Sequence, residues 1–485
     1  MKNYKLFIYI FAVAVALQLT TSCNKYDYYQ TNPNNPSQAT PALLLTDICV
    51  RVFVHDGLPM AYASRYLAYY ERPDVNANYG WGAASFDNYD ILRQVEQMNT
   101  LAIASNEVNY QAIAKLFRAV LFSQLTETFG DIPYAEALKV DEGNNTPVYD
   151  AQESIYVGIL KELDEANSLF DATQNTISGD IIFDGDISKW KKFTNAFRLR
   201  LLIHLSKKED NTNLNIKQQF QSIISNPAMY PLMESNDDNA QIVFNKTAAN
   251  NSYPGFQSNS LQTSISMEQG FVDSLKVFAD PRLFKVAAPV SGLPAGNFSS
   301  YEGVNEGLTV GEMQTASADA SRIAPRYWQD QINEPMMLLG YQEQEFLIAE
   351  AISRNWISGA GTAEEHYKNG IVASMQFYGV PDADIQNYLA TPKVKLAAAT
   401  ALQQIAVQKY FSMFMQAGWE PFYEQRRTGI PVFNVGDGTY NDQRVPRRWL
   451  YPQNEYNVNK ANVDAAVQRQ FNGDDDINGV IWLLK

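Results

Sequence analysis

Aromatic side chains in polar segments are the residues of this sequence best suited to bind a neutral, polar ligand. Tyr79 and Trp81 alternate with Gly80 and Gly82 in a segment rich in Asn and Asp. An aromatic ring can pack against the C–H face of a sugar, while nearby amides and carboxylates bond to the sugar hydroxyls. The pattern predicts a sugar-binding loop, with rings that fill the edge of the core as the open alternative.

A second aromatic group falls in the central part of the chain. Tyr301, Tyr327 and Trp328 lie in a stretch where Asn, Ser, Gly and Pro are frequent. Ordered loops on a rigid scaffold are a common place for binding residues. Tyr301 and Trp328 are therefore further candidate ligand-binding residues, although burial in the core is the favoured interpretation for these rings.

Motifs of known catalytic sites are missing from the sequence. It contains no G-x-S-x-G segment, no G-x-x-x-x-G-K-[ST] segment and no G-x-G-x-x-G segment after a strand. The chain has only two cysteines and three histidines, and the histidines are far apart. We therefore predict no catalytic residue, no metal site and no cofactor.

Acidic residues leave one catalytic class open. Glycoside hydrolysis needs two carboxylates at a set separation, which a sequence does not give. Glu343 and Glu345 lie near a predicted helix start, where acidic residues interact well with the helix dipole. With 53 acidic residues in the chain, solvated or capping carboxylates are the preferred interpretation.

Two groups of arginines raise the question of anion binding. Arg426 and Arg427 are adjacent, and a second group follows at Arg444, Arg447 and Arg448. The formal net charge of −15 argues against a nucleic-acid partner, because such a surface needs clustered cations. The arginines are predicted to bond to carboxylates and loop carbonyls and so to hold the C-terminal loops.

The elements that would position these residues are mostly helices. Apolar residues recur at helical spacing over residues 109–129, 150–166, 187–206, 341–356, 363–378 and 397–416. Several of these segments are joined by short connections, which is typical of helical hairpins stacked in a solenoid-like layer. Residues 211–335 and 431–485 lack this period and are predicted to form long, loop-rich elaborations.

The amino terminus has the features of an export signal. Two lysines precede an apolar run over residues 6–19, and small residues then lead to Cys23. The run is short for a transmembrane helix, and its end resembles a bacterial lipobox. We predict a lipoprotein signal peptide over residues 1–22, lipidation of Cys23 and a Pro- and Asn-rich tether over residues 23–40.

Ordered motifs across the mature chain resemble those of one family. The segment Phe129-Gly-Asp-Ile-Pro-Tyr134 is similar to its FGDxPY motif, and Arg426-Arg-Thr-Gly429 is similar to its RRTG motif. Further similar segments follow in the expected order at residues 146–156, 190–200, 279–283, 446–448 and 451–455. The sequence thus resembles the SusD/RagB nutrient-binding lipoproteins.

The resemblance implies an all-α fold in which tetratricopeptide-like helix pairs support a loop-rich half, as one domain over residues 41–485. It implies a surface-exposed outer-membrane lipoprotein, not an enzyme, that passes oligosaccharides to a SusC-like TonB-dependent transporter. Aromatic platforms are the implied binding sites, with Tyr79, Trp81, Tyr301 and Trp328 as the matched candidates. Two alternatives stay open: an oligopeptide ligand and, with less support, a surface glycoside hydrolase.

Overall fold

The computed structural model describes residues 39–174, 177–248 and 251–485. The predicted signal peptide, the lipidation site at Cys23 and nearly all of the tether lie outside these residues. Within the described part of the chain, no helix is both long and apolar enough to cross a bilayer.

Six helices and one short strand form the first part of the molecule. They are α1 (Pro41–Phe53), α2 (Gly57–Ala63), β1 (Leu67–Tyr69), α3 (Asn88–Ala104), α4 (Val108–Phe129), α5 (Gln152–Leu169) and α6 (Ile187–His204). Local chemistry sets several of their ends. Thr40 caps the first turn of α1, where Pro41 needs no partner for a backbone N–H. Gly130 ends α4 with a φ of +87°, and a side chain there would overlap the Gln470 amide.

The central part of the chain consists of short elements. They are α7 (Ile216–Ser225), β2 (Ala240–Ile242), α8 (Asn259–Thr263), β3 (Ile265–Met267), α9 (Gln269–Phe278), α10 (Leu283–Val286), α11 (Val310–Ala316), α12 (Arg326–Gln329) and β4 (Met336–Leu339). Strand β3 pairs antiparallel with β1, with Ser266 opposite Ala68, and β2 pairs antiparallel with β4. These two small sheets join the central elaboration to the helical scaffold.

Longer helices return in the last part of the chain. They are α13 (Tyr341–Ser353), α14 (Ala363–Phe377), α15 (Asp382–Leu389), α16 (Ala401–Phe411), α17 (Glu420–Thr428), α18 (Gln453–Val458) and α19 (Lys460–Phe471). Irregular segments separate α17 from α18 and follow α19, as the loss of helical period predicts.

The long helices pack in an order that produces a layered scaffold. Helix α3 packs on α1 and α4, α4 packs on α5, and α5 packs on α6. Helix α13 then packs on both α6 and α14, so that the second helical part continues the first. The prediction of an all-α fold built from helix pairs is confirmed. The central elaboration lies between α6 and α13 in the chain and ends at β4, directly before α13.

Candidate functional site

The predicted aromatic platform at Tyr79 and Trp81 is not on the surface. Tyr79 is fully buried, donates its hydroxyl to the Ala63 carbonyl at 2.8 Å, and has the Arg65 guanidinium 3.9 Å from its ring centroid. Trp81 is only 6% exposed, and its indole stacks on Trp449 at a centroid distance of 3.8 Å. Neither ring offers a free face to a sugar. The structure therefore corrects this prediction in favour of the core alternative.

The two central candidates differ from each other. Tyr301 is 1% exposed and packs beside Phe284 at a centroid distance of 5.4 Å, so it too belongs to the core. Its ring lies in the main hydrophobic core, which extends from the helical scaffold into the central elaboration. Trp328, on α12, is half-buried and keeps part of its indole exposed. Trp328 stays a candidate.

Trp81 instead supports an aromatic residue that the sequence analysis missed. Trp419 lies edge-on to Trp81 at a centroid distance of 5.8 Å and edge-on to Trp449 at 4.8 Å. Phe422 completes this aromatic cluster, 6.1 Å from Trp419. Trp419 is half-buried, and its exposed part lines a cavity. Its neighbours hold the indole in one orientation, so it can bind a ligand with little loss of conformational entropy.

This central cavity has a volume of about 240 Å³. Its half-buried lining residues include Trp419, Asn88 and Gln124, and the Asn88 amide donates to Gln124 Oε1 at 3.0 Å. Its buried lining residues include Glu127 and His204. The cavity thus combines a fixed indole and two amides at the outside with charged groups in its interior.

A second cavity, of about 380 Å³, shares His55 with the central cavity. Tyr253, Pro254 and Leu261 form part of its wall. Ligand pockets typically measure about 300–1,000 Å³, so the second cavity lies within that range, whereas the central cavity alone is smaller. The backbone carbonyl of Trp328 accepts a hydrogen bond from the N–H of Gln257 at 2.8 Å, and Gln257 is the chain neighbour of Ser258, which lines this cavity.

Ten buried ionic side chains line the central cavity or connect through ion pairs to the residues that do, and we call them the charge network. The acidic members are Glu127, Glu343, Glu350, Glu420 and Glu424, and the basic members are Arg200, His204, Lys409, Arg426 and Arg427. Arg200 binds Glu343 through two N–H groups at 2.7 and 2.6 Å. Such two-pronged bonds to a carboxylate are strong and geometrically specific.

His204 completes the charge balance of this network. Its Nδ1 lies 2.9 Å from Glu127 Oε1 and its Nε2 lies 2.8 Å from Glu420 Oε1. Burial opposes a charge on the imidazole, but the two carboxylates outweigh it and raise the pKa of His204 to about 9. With His204 protonated, five carboxylates face five cations. Arg354 adds a further bond to Glu350 at the partly exposed edge.

The network also contains the one group of three potential metal ligands in the described residues whose ligand atoms lie close together. One ligand atom each from His204, Glu420 and Glu424 lies within 4.8 Å of the others. The same carboxylates already bind cations, because Lys409 Nζ is 3.6 Å from Glu420 and 3.4 Å from Glu424. A metal ion at this position would have to displace the Lys409 ammonium from Glu420 and Glu424, so we assign the network to the scaffold.

The preferred interpretation of Glu343 and Glu345 as solvated or capping carboxylates is wrong. Both are buried, at 2% and 4% exposure. Glu343 binds Arg200, while Glu345 accepts from His366 Nδ1 at 2.9 Å and from the Asn369 amide at 3.0 Å. These partners come from other helices, so the local sequence around α13 carries no sign of them.

The structural role predicted for the arginines is confirmed for four of them. Arg426 binds Glu127, Arg427 binds Glu350 and Glu424, Arg444 binds Asp442, and Arg448 binds Asp475. Arg447 is the exception. Its side chain is exposed and has no hydrogen-bond or ion-pair partner among the described residues.

Trp419 carried a usable signal in the sequence. It follows Gly418 in a short segment between two helices, which is the same small-residue context that drew attention to Trp81. His55 and His204 carried none, because their surroundings come from segments distant in sequence. The cavity is therefore a product of the tertiary fold.

The chain is similar to one protein family in both its sequence and its fold. Residues 33–452 match the family model SusD-like_2, described as starch-binding and associating with the outer membrane. The sequence matches none of the curated proteins with which it was compared. Among solved structures, the chain is similar to a candidate nutrient-binding outer-membrane protein of Bacteroides vulgatus, with 36% identity and a TM-score of 0.85 over 92% of this chain and 100% of that chain.

Two further structures extend the comparison. One is a SusD homologue of Bacteroides fragilis, with 37% identity and a TM-score of 0.84 over 92% of this chain and 100% of that chain. The other is a chitin-binding protein, with 26% identity and a TM-score of 0.75 over the same shares of the two chains.

Proposed function

The chain belongs to the SusD-like family of starch-binding proteins that associate with the outer membrane, and from this premise we propose that it captures an oligosaccharide at the cell surface. It delivers the ligand to a SusC-like TonB-dependent transporter, and it is held at the outer membrane by a lipid on Cys23. The residues that we assign to the ligand are Trp419, Asn88, Gln124 and Trp328.

The observation that carries the oligosaccharide proposal is the position of Trp419. Its indole is fixed by Trp81 and Trp449 and lines the central cavity beside the amides of Asn88 and Gln124. A flat apolar face next to amide donors and acceptors matches a sugar ring, which has C–H groups on its faces and hydroxyls at its edge. A peptide ligand would require main-chain hydrogen-bonding partners along an extended groove.

The electrostatics of the cavity favour binding over hydrolysis. A glycoside hydrolase needs one carboxylic acid whose pKa is raised so that it can donate a proton. In this cavity, bonds from His204 and the neighbouring arginines outweigh burial and lower the pKa of both Glu127 and Glu420. Two ionised, ion-paired carboxylates do not supply the acid of that reaction.

The proposed role also sets the expected affinity. Binding through one ring and a few hydrogen bonds is expected to give a dissociation constant in the micromolar range or weaker. A micromolar constant corresponds to a binding free energy of about −8 kcal/mol. A ligand held this weakly can leave for the transporter. Tight binding would work against delivery.

Calorimetric titration of the protein lacking residues 1–23 would test the proposal. The panel holds starch oligosaccharides, chitin oligosaccharides and a mixed peptide digest, and the variants are Trp419→Ala and Gln124→Ala. We expect heat with one glycan, which Trp419→Ala abolishes and Gln124→Ala weakens. Trp482→Ala is the matched control, since Trp482 is also half-buried but lines no part of the cavity.

Three outcomes would contradict the proposal. Heat with peptides alone would favour the oligopeptide alternative. New reducing ends during incubation with a glycan would show a hydrolase. Equal binding by wild-type protein and Trp419→Ala would place the glycan elsewhere. The lipid anchor has its own test, in which labelled fatty acid should be incorporated by the full-length chain and lost in Cys23→Ser.

A further inference from the structure

A cavity of about 660 Å³ lies at the C-terminal end of α17, among the loops that follow it. We call it the basic pocket. Its cationic lining residues are Lys207, Arg426, Arg427, Arg444 and Arg447. No aspartate or glutamate is among its lining residues in the described chain. This concentration of one charge stands out in a protein whose formal net charge is −15.

Three of the five cations already have anionic partners. Arg426 and Arg427 belong to the charge network, where Glu127, Glu350 and Glu424 neutralise them. Arg444 is bound by Asp442 at 3.1 Å. These three cations line the pocket but contribute little unbalanced charge to it.

Lys207 and Arg447 are not balanced in this way. Lys207 Nζ donates to the Leu484 carbonyl at 3.0 Å, and Arg447 has no side-chain partner in the described part of the chain. Burial, together with the nearby positive charges of Arg447, Arg427 and Lys208, lowers the pKa of the Lys207 ammonium. Lys207 and Arg447 are thus close enough for their positive charges to repel each other, and the pocket carries a positive potential.

The helix end beside them does not remove this imbalance. Helix α17 ends at Thr428, with Gly429 in the left-handed conformation that closes the last turn. A helix C terminus carries about half a negative charge. That is less than the charge of either Lys207 or Arg447, so an excess of positive charge is left in the pocket.

We propose that the basic pocket binds an acidic group of a glycan, a carboxylate or a sulfate ester, between Lys207 and Arg447. An ammonium and a planar guanidinium are the side chains that bond best to such oxyanions. This inference rests on the proposed function and narrows its ligand class to glycans that carry acidic sugars. The basic pocket shares no lining residue with the central cavity and is a separate subsite.

The size and the lining of the pocket suit a sugar residue. Its volume lies within the range of about 300–1,000 Å³ that is usual for small-ligand sites. Pro446 and Val480 supply apolar lining, while Gln425 and Asn478 supply amides. A sugar residue needs the same mixture of apolar contact and polar edges around its acidic group.

Calorimetric titration with trigalacturonate and with a chondroitin sulfate tetrasaccharide would test the inference, with maltotetraose as the neutral probe. The variants are Lys207→Gln and Arg447→Gln. We expect each to weaken binding of an acidic probe about tenfold, as for loss of one charge-assisted bond, and to leave maltotetraose unaffected. Raising the salt from about 0.1 M to about 1 M should weaken only the acidic probes, because screening then acts over about 3 Å.

The control variant is Arg93→Gln, which removes an equal charge from an exposed arginine on α3 that does not line the pocket. The inference is overturned if Arg93→Gln weakens acidic probes as much as Arg447→Gln does. It is also overturned if no acidic probe binds while a neutral glycan does, a result that leaves the proposed function intact. Binding to phosphatidylglycerol vesicles that needs Lys207 and Arg447, without binding of either acidic glycan, would assign the pocket to a lipid headgroup instead.

Discussion

The charge network and the basic pocket meet at α17 and both contain arginine and lysine side chains, but these side chains have different roles in the two regions. Inside the network, Arg426 and Arg427 are 4% and 7% exposed, and each binds at least one carboxylate. At the C-terminal end of the same helix, Lys207 and Arg447 line a cavity that has no acidic residue in its lining. The presence of several arginines in the sequence therefore does not show whether they bind a ligand. Cations that are paired with carboxylates belong to the scaffold, whereas unpaired cations are available to a ligand.

The two regions also differ in what a substitution costs in free energy. Removing one partner from a buried ion pair leaves an uncompensated charge in a poorly polarisable interior, and this typically costs about 3–5 kcal/mol. Removing the charge of Arg447 from the basic pocket breaks no side-chain bond and relieves its repulsion of Lys207. Substitution in the network should thus destabilise the protein strongly, whereas substitution of Arg447 should leave its stability nearly unchanged.

The largest effect is expected from Arg427→Ala. This change removes one cationic partner from each of Glu350 and Glu424, whose carboxylates Arg427 binds at 2.7 Å. We expect the free energy of unfolding in urea to fall by about 3–5 kcal/mol. Arg444→Ala is the matched control, since its partner Asp442 is solvent-exposed, and it should cost less than about 1 kcal/mol. Equal losses in the two variants would contradict a special role for the buried network.

The next effect concerns the pH dependence of the network. The pKa of His204 is raised from 6.5 to about 9 in the folded chain, so the folded state binds the proton more tightly than the unfolded state. The stabilisation is complete below pH 6.5 and is lost as the pH rises towards 9. A shift of this size corresponds to about 3 kcal/mol.

Urea titrations at several values of pH would measure this loss. The His204→Gln variant should be less stable than wild-type protein at pH 6, and the difference should shrink as the pH approaches 9. A difference that stays constant over this range would show that His204 is neutral in the folded protein, which would leave the network with one negative charge in excess.

A smaller effect of opposite sign is expected at His55, which lies between the two cavities. Its Nδ1 is buried without a hydrogen-bond partner, and burial lowers the pKa of His55 to about 4. The unfolded chain therefore takes up this proton first, and stability falls as the pH drops from 6.5 towards 4. Because the side chain is only half-buried, we expect about 1–2 kcal/mol. Replacing His55 by Gln should remove this part of the acid sensitivity, measured against wild-type protein in the same buffers.

The sequence predicted the long helices well because each carries its own signal. Helix α4 was expected over residues 109–129 and forms over Val108–Phe129, since apolar spacing and the Gly130 stop are both local. The FGDxPY and RRTG segments likewise identified the family, now supported by the match over residues 33–452.

The site was predicted less well, because exposure is a property of the tertiary fold. Trp81 and Trp419 both follow a glycine, yet only Trp419 reaches a cavity, because Trp449 from the C-terminal loops covers Trp81. Glu343 needs Arg200 from α6 to become a buried ion pair. Neither relation can be deduced from spacing along the chain.

The smallest effect on stability is expected at the basic pocket, and it gives the sharpest test of the comparison. In Arg447→Gln no bond of the side chain is lost, and Lys207 loses a positive neighbour. The free energy of unfolding should stay within about 0.5 kcal/mol of the wild-type value, while binding of trigalacturonate weakens. A loss of more than about 1 kcal/mol would show that the Arg447 side chain supports the C-terminal loops and is not held for a ligand. A stable variant that binds the acidic probe about tenfold more weakly would show that this cation is held in place for a ligand.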